Sequence, residues 1–226
     1  MAVYTYPLVM PNLLSPPTGG MIQSSFSLLR KTAVTTSAYQ GITLAQPFLP
    51  NALWQLSFSL RPMIADEARI WQAWLLKLRG RSGTFYARDP DYITGYTFYA
   101  NNTALAASYR LSQAAYVGQS TIYVTTNLSG NNFPANTVIF EVGDYLQVGS
   151  TLHQVVNAAE NTSGSASNGP ITVDIEPGLK ANAASSAVVY VGADARGIFR
   201  LDSDDFGWSS NSNRIYNLSF SATESA

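Results

Sequence analysis

The segment Trp54-Gln55-Leu56-Ser57-Phe58-Ser59 returns near the other end of the chain as Tyr216-Asn217-Leu218-Ser219-Phe220-Ser221. Both place an aromatic residue, Leu and Phe on alternate positions with small polar residues between them. This is the period-two pattern of a strand with one buried face. Trp54, Leu56 and Phe58 are therefore expected to share a face, as are Tyr216, Leu218 and Phe220, with the two segments neighbours in one sheet. A chain built this way leaves a core sheet, forms something else in the middle and returns to close the sheet. A scaffold at 1–103 and 196–226, split by an insertion at 104–195, is the expected organisation.

Composition bears on what such a surface does. Of the 226 residues 46% are hydrophobic, enough for a sizeable core, but only 12% are charged, against about 25% in an ordinary soluble protein. Tyr, Phe and Trp make up another 12%. A surface poor in charge and rich in aromatics invites association, so assembly is expected. The net charge of −1 gives no pull toward nucleic acid or an anionic membrane. With no cysteine, disulfides, thiol catalysis and Cys-type metal sites are excluded. The first residues carry no signal-peptide pattern and no run reaches membrane-spanning length, so synthesis in the cytoplasm without a membrane partner is expected.

Along the chain, Pro7, Pro11, Pro16, Pro17 and Gly19-Gly20 break up the first 25 residues, which read as an extended arm. One or two strands are expected around the turn at Tyr39-Gln40-Gly41. After the strand at 53–61, a helix at 66–79 is expected, with Asp66 as N-cap and Gly80 as its stop. Ile70, Trp71, Trp74, Leu75 and Leu78 form its apolar stripe, a core face packed on the sheet. From about residue 103 short β segments alternate with turns, the texture of an all-β module. Gly149-Ser150 fits a two-residue hairpin turn with Gly first. The run 161–169 is too small and polar to pack and reads as a mobile loop tip.

Catalytic chemistry finds little support. His153, the only histidine, lies mid-strand with no nucleophile elbow, so a side chain on a sheet face is expected. Asp89 with Asp91, and Asp202 with Asp204 and Asp205, are the carboxylate sets that glycoside hydrolysis could use, but both lie in turns where Asp serves local hydrogen bonds. The second set lacks the bidentate acid of a calcium loop. The glycines at 80 and 83 follow a helix and match neither a P-loop nor a dinucleotide fingerprint. Arg79, Arg81 and Arg88 read as solvated or intersubunit charges. Tyr92, Tyr96, Phe98 and Tyr99 could stack sugars or pack in an interface. No catalytic, cofactor or metal residue is assigned, and Trp54, Leu56, Phe58, Trp71, Trp74, Leu78, Tyr216, Leu218 and Phe220 stand as core or assembly candidates.

Several stretches resemble the distal tail proteins of long-tailed bacteriophages. The helix followed by Leu78-Arg79-Gly80-Arg81-Ser82-Gly83-Thr84-Phe85-Tyr86-Ala87-Arg88-Asp89-Pro90 resembles that family's helix, glycine turn and strand ending in Asp-Pro. Gly143-Asp144-Tyr145-Leu146-Gln147-Val148-Gly149, Leu152-His153-Gln154-Val155 and Ile171 to Lys180 resemble a β module recurring in phage tails, with Glu176-Pro177-Gly178 departing from the usual double proline. Phe199-Arg200-Leu201 marks the return. The resemblance implies a mainly β chain: a split β-sandwich or barrel scaffold with one packed α-helix, interrupted by an inserted small all-β domain. It further implies a non-enzymatic virion protein forming a ring, hexameric in that family, between the tail tube and the tip hub. The implied partners are further copies and the tube and hub proteins, and a host-surface glycan through 104–195 is a further candidate. The alternatives are a carbohydrate-binding module or glycan hydrolase of the virion, and the tube protein itself.

Overall fold

The computed structural model describes residues 4–13, 20–47, 52–90, 109–126 and 133–225. In chain order the elements are β1 (Leu8–Val9), β2 (Met21–Leu29), β3 (Thr32–Thr36), β4 (Thr43–Pro47), β5 (Leu53–Leu60), α1 (Ala65–Leu78), β6 (Phe85–Ala87), β7 (Tyr109–Leu111), β8 (Thr121–Thr126), β9 (Thr137–Phe140), β10 (Tyr145–Val148), β11 (Thr151–Val155), β12 (Ala159–Asn161), β13 (Ile171–Glu176), β14 (Val189–Val191), β15 (Gly197–Leu201), β16 (Trp208–Ser210) and β17 (Tyr216–Glu224). The chain is mainly β, with one α-helix among the described residues. Its contacts divide it into two units. The first takes Met1–Leu28, Trp54–Asp91 and Gly197–Ala226; the second takes Leu29–Leu53 and Tyr92–Arg196. Residues 29–53, which the sequence reading left in the scaffold, thus cluster with the second unit.

In the first unit the strands run in the order β1-β6-β15-β17-β5-β2, and β16 also pairs with β17. The twin segments are adjacent and antiparallel. Phe58 faces Phe220, Ser57 faces Ser221 and Ser59 faces Ser219. Ser-Phe-Ser reads the same in both directions, so antiparallel pairing centred on Phe keeps every apolar residue on the inner face, whereas a slip of one residue would turn them all outward. Trp54, Leu56, Phe58, Leu60, Leu218 and Phe220 are buried; Tyr216 is half-buried at the end of its strand.

The helix covers that inner face. Ala68, Trp71, Trp74, Leu75 and Leu78 are buried, spaced at the three- and four-residue steps that form one stripe. Ile70, expected in the stripe, is 45% exposed, because it falls beside the stripe and Ala68 takes the inner position. The aromatic side chains meet edge to face: Phe58 and Phe220 at 5.7 Å, Trp71 and Trp74 at 5.6 Å, Trp74 and Phe85 at 5.0 Å between ring centroids. Such contacts add about 0.5–1.5 kcal/mol per pair beyond burial.

The helix ends differ from expectation. Its N-cap is Ile64, with no side-chain cap, and Asp66 lies in the first turn beside Glu67, where both still favour the positive end of the dipole. The start is set from outside the helix: Met63 and Tyr216 exchange backbone hydrogen bonds of 3.0 and 2.9 Å. At the other end Arg79, not Gly80, is the first residue in the left-handed region, at φ 54°. Its guanidinium lies 5.3 Å from the centre of the Tyr4 ring, an attractive cation–π arrangement. Gly83 then passes against the helix end. A Cβ there would stand 2.4 Å from the Leu78 carbonyl oxygen and 2.8 Å from the Tyr6 ring. Gly83→Ala is expected to cost roughly 1–3 kcal/mol, measurable as a lowered urea midpoint; an unchanged midpoint would refute this packing.

The second unit holds a six-stranded sheet in the order β14-β10-β11-β13-β8-β7. It all but closes on itself, since Arg110 in β7 bridges to Val188 just before β14. Nearly every edge is thereby removed. Tyr109, Leu111, Ile122, Val124, Leu146, Val173 and Ile175 fill its interior. The Tyr109 ring meets Phe133 at 6.2 Å and Phe140 at 5.6 Å. The β10–β11 turn is the expected one: Val148 pairs with Thr151, and Gly149 takes φ 63° at the first turn position. β7 and β12 were not foreseen. The run after Asn161 is also less free than expected. Asn161 is buried and donates to the carbonyls of Phe133 and Pro134, and Ser167 exchanges backbone hydrogen bonds with Phe133.

Candidate functional site

The residues that could carry chemistry are occupied structurally. His153 is fully buried in β11, where sequence alternation had placed it on a sheet face. Its Nδ1 lies 2.7 Å from the Pro177 carbonyl oxygen and its Nε2 2.7 Å from Thr151 Oγ1. A carbonyl only accepts, so Nδ1 carries the proton and, in the neutral ring, Nε2 accepts from the Thr151 hydroxyl. Burial pushes the imidazole down to about 4; the Pro177 hydrogen bond opposes this and the Lys180 charge reinforces it. A ring so enclosed and held at both nitrogens is a packing element.

The acidic residues are similarly engaged. Asp202 accepts from Thr223 Oγ1 at 2.6 Å, Asp204 accepts the Arg81 backbone N–H at 2.7 Å, and the Asp205 backbone N–H donates to Ser203 Oγ at 3.0 Å. The first two bonds tie the acidic turn to β17 and to the 80–82 turn, and the third lies within the acidic turn itself. Asp174 bonds Thr121 and Asn157 at 2.8 and 3.0 Å, and these bonds, Asn157 first, hold its carboxyl below its ordinary value. Among the described residues no three His, Asp or Glu side chains gather as a metal site would require. Asp91, Tyr92, Tyr96, Phe98 and Tyr99 lie outside the described residues.

Eight of the nine core or assembly candidates are core: Trp54, Leu56, Phe58, Trp71, Trp74, Leu78, Leu218 and Phe220 are buried. A run of exposed apolar residues lies on the segment around Tyr39-Gln40-Gly41, which the sequence reading gave only as one or two strands. β3 and β4 form a separate two-stranded hairpin pairing Thr32 with Pro47 through Thr36 with Thr43. From residue 30 to residue 46 every side chain but Ser37 is exposed. The exposures include 61% for Val34, 62% for Ile42, 70% for Leu44 and 99% for Tyr39. Residues 32–47 contain no charged side chain. Its base is tied within the second unit, where Arg30 pairs with Glu176 at 3.2 Å. The charge-free run bounded by Arg30-Lys31 was the available signal, but alternation alone describes a half-buried strand equally well.

Two depressions accompany it. In the first unit, a groove of about 560 Å³ is lined by residues of β2, β5, β16 and β17, including Ile22, Gln23, Ser59, Trp208, Asn217 and Ser219. None of its lining residues is charged. In the second unit, an open cleft of about 580 Å³ lies along 158–163 and 167–172. Its lining is mostly polar, with Glu160, Asn161, Thr162 and Thr172 among it and no aromatic side chain. No family model matches the chain, and no curated protein matches it.

Proposed function

We propose that this chain is a structural protein of a long-tailed phage that forms a ring at the distal end of the tail, joining the tail tube to the tip hub. The observation that carries the reading is the hairpin of β3 and β4. A two-stranded hairpin alone is marginal in water, and this one exposes Val34, Ile42 and Leu44 with no charge on either strand. Proteins protect such edges with charge, proline, bulges or cover. Here Pro47 is the only such residue in the two strands, so cover by a neighbouring molecule is the remaining protection. The engaged state of His153 and of the acidic turn supports a role in which binding itself is the function. Further copies, the tube protein and the hub protein are the partners in this reading.

Electron microscopy of the purified protein tests it. Closed rings one or two layers deep are the expected result, and replacement of 32–47 by a short Gly-Ser linker should abolish them while leaving circular dichroism of the β fold in place. Long tubes would favour the tube protein instead, and rings that persist without the hairpin would refute its role.

A further inference from the structure

Between Glu160 and Asp174 the chain carries no charged side chain, and this stretch holds Ser167-Asn168-Gly169-Pro170. Asn168-Gly169 is the only Asn-Gly pair in the chain. The side-chain amide of an asparagine and the backbone nitrogen of the next residue belong to one covalent frame, so attack of that nitrogen on the amide carbon is intramolecular and needs no encounter. A side chain on the following residue crowds the nitrogen, and glycine has none.

The structure separates this asparagine from others in the chain. Asn161 is buried and donates to the Phe133 carbonyl, Asn157 donates to Asp174, Asn182 accepts the Val117 N–H and Asn211 accepts the Ile215 N–H. Each of these amides is held by its bond, and none precedes glycine. Asn168 is exposed, and the bond it makes among the described residues is through its backbone carbonyl oxygen, which accepts from Thr125 Oγ1. Its side chain is left to turn toward Gly169. The Gly169 N–H belongs to no strand ladder; it donates to Ser167 Oγ at 2.9 Å, a hydroxyl that can rotate away.

We infer that Asn168–Gly169 is a site of spontaneous modification, at which the chain sheds ammonia and gains a carboxylate; this stands independently of the ring reading. The Gly169 nitrogen gives up its proton and bonds Asn168 Cγ, the Cγ–Nδ2 bond breaks, and Nδ2 leaves with that proton as ammonia. A five-membered imide remains. Water then opens it at one of its two carbonyl carbons. Opening at Cγ gives aspartate. Opening at the main-chain carbon gives isoaspartate, in which the chain runs through Cβ and Cγ and is longer by one methylene.

Either product puts a negative charge on a stretch that has none, beside the cleft that Gly169 lines together with Glu160. Isoaspartate does more. Ser167 is fixed by two backbone hydrogen bonds with Phe133, at 2.8 and 3.0 Å, and Ile171 by its pairing with Val124 at the start of β13. A methylene added between these anchors does not fit both, so the bridge at Ser167, an isolated one, opens before the strand does. The tip thus passes with age from neutral and anchored to charged and loosened.

Incubation of the purified protein for weeks in mildly alkaline buffer tests the site. Cleavage before Asp144 and Asp174 releases the peptide 144–173, which carries Asn157, Asn161 and Asn168 together, so fragment masses compare the three directly. The expected result is a gain of one dalton confined to residue 168, with methyl uptake from a protein isoaspartyl methyltransferase. Asn168→Gln should abolish the gain and Gly169→Ala should slow it at least fivefold; the added Cβ would stand 3.0 Å from Ser167 Oγ, a contact that rotation of the Ser167 side chain relieves. Amide exchange at Phe133 and Ser167 should be faster in the fraction purified as isoaspartate. No gain at 168, a gain shared evenly with Asn157 or Asn161, or an undiminished rate in Gly169→Ala would overturn the assignment, and unchanged exchange in the isoaspartate fraction would overturn the loosening.

Discussion

Phe220→Ala is expected to lower the stability of the first unit by about 3–5 kcal/mol, the usual cost of truncating a core Phe. The reason is its position at the junction of sheet and helix. Its ring meets Phe58 at 5.7 Å, Trp74 at 5.7 Å, Phe85 at 6.1 Å and Trp71 at 6.2 Å. Helix and sheet thus converge on one side chain, and the surrounding large rings cannot collapse into the space it leaves. Urea unfolding followed by tryptophan emission reads the loss, since Trp71 and Trp74 border the cavity. The pairing with Phe58 is tested by the double-mutant cycle: Phe58→Ala and Phe220→Ala together should cost less than the sum of the two, by about 0.5–1.5 kcal/mol. A cost below about 1 kcal/mol for Phe220→Ala would mean that the two ends of the chain do not close a common core.

That the two ends meet was legible because the two segments read almost alike and alternation named the buried face of each. Their antiparallel direction and the pairing of Phe58 with Phe220 are what the structure adds. The helix was legible for the same reason, with Trp71, Trp74, Leu75 and Leu78 at helical spacing. Its first residue was not, because the start is fixed by the Met63–Tyr216 bridge across about 150 residues of chain, and local capping rules do not see such a contact. β7 and β12 escaped because three residues such as Tyr-Arg-Leu or Ala-Glu-Asn are too few to display a period. The burial of His153 was hidden because both faces of its strand are covered, and its register places it opposite Leu146 on the inner face. In an open sheet alternation sends every second residue to solvent, whereas all four residues of β10 and four of five in β11 are buried here. The hairpin shows the opposite failure. Thr-Ala-Val-Thr-Thr has the texture of a half-buried strand, yet all five residues are exposed, because burial depends on a neighbour that sequence texture does not name.

The second unit should lose stability on mild acidification, and His153 sets the window. In the unfolded chain its imidazole has the ordinary value of 6.5; in the folded chain burial lowers it to about 4. Between those values the unfolded state binds more protons than the folded state, so stability falls as pH falls. The contribution of the neutral, buried ring is complete above pH 6.5 and is lost progressively down to about pH 4. A shift of that size corresponds to about 3 kcal/mol. Asp174 does not confuse the reading, because its carboxyl is held below 3.8 and its own loss begins only below that value. Urea midpoints at pH 7.5 and 4.5 measure the effect, and His153→Gln should flatten the difference. If that variant does not fold, the wild-type protein still decides the matter. The chain has one histidine, so a single imidazole resonance reports its titration in the folded state, and a midpoint near 6.5 would show that the ring is wet and the packing around Pro177 is not as described.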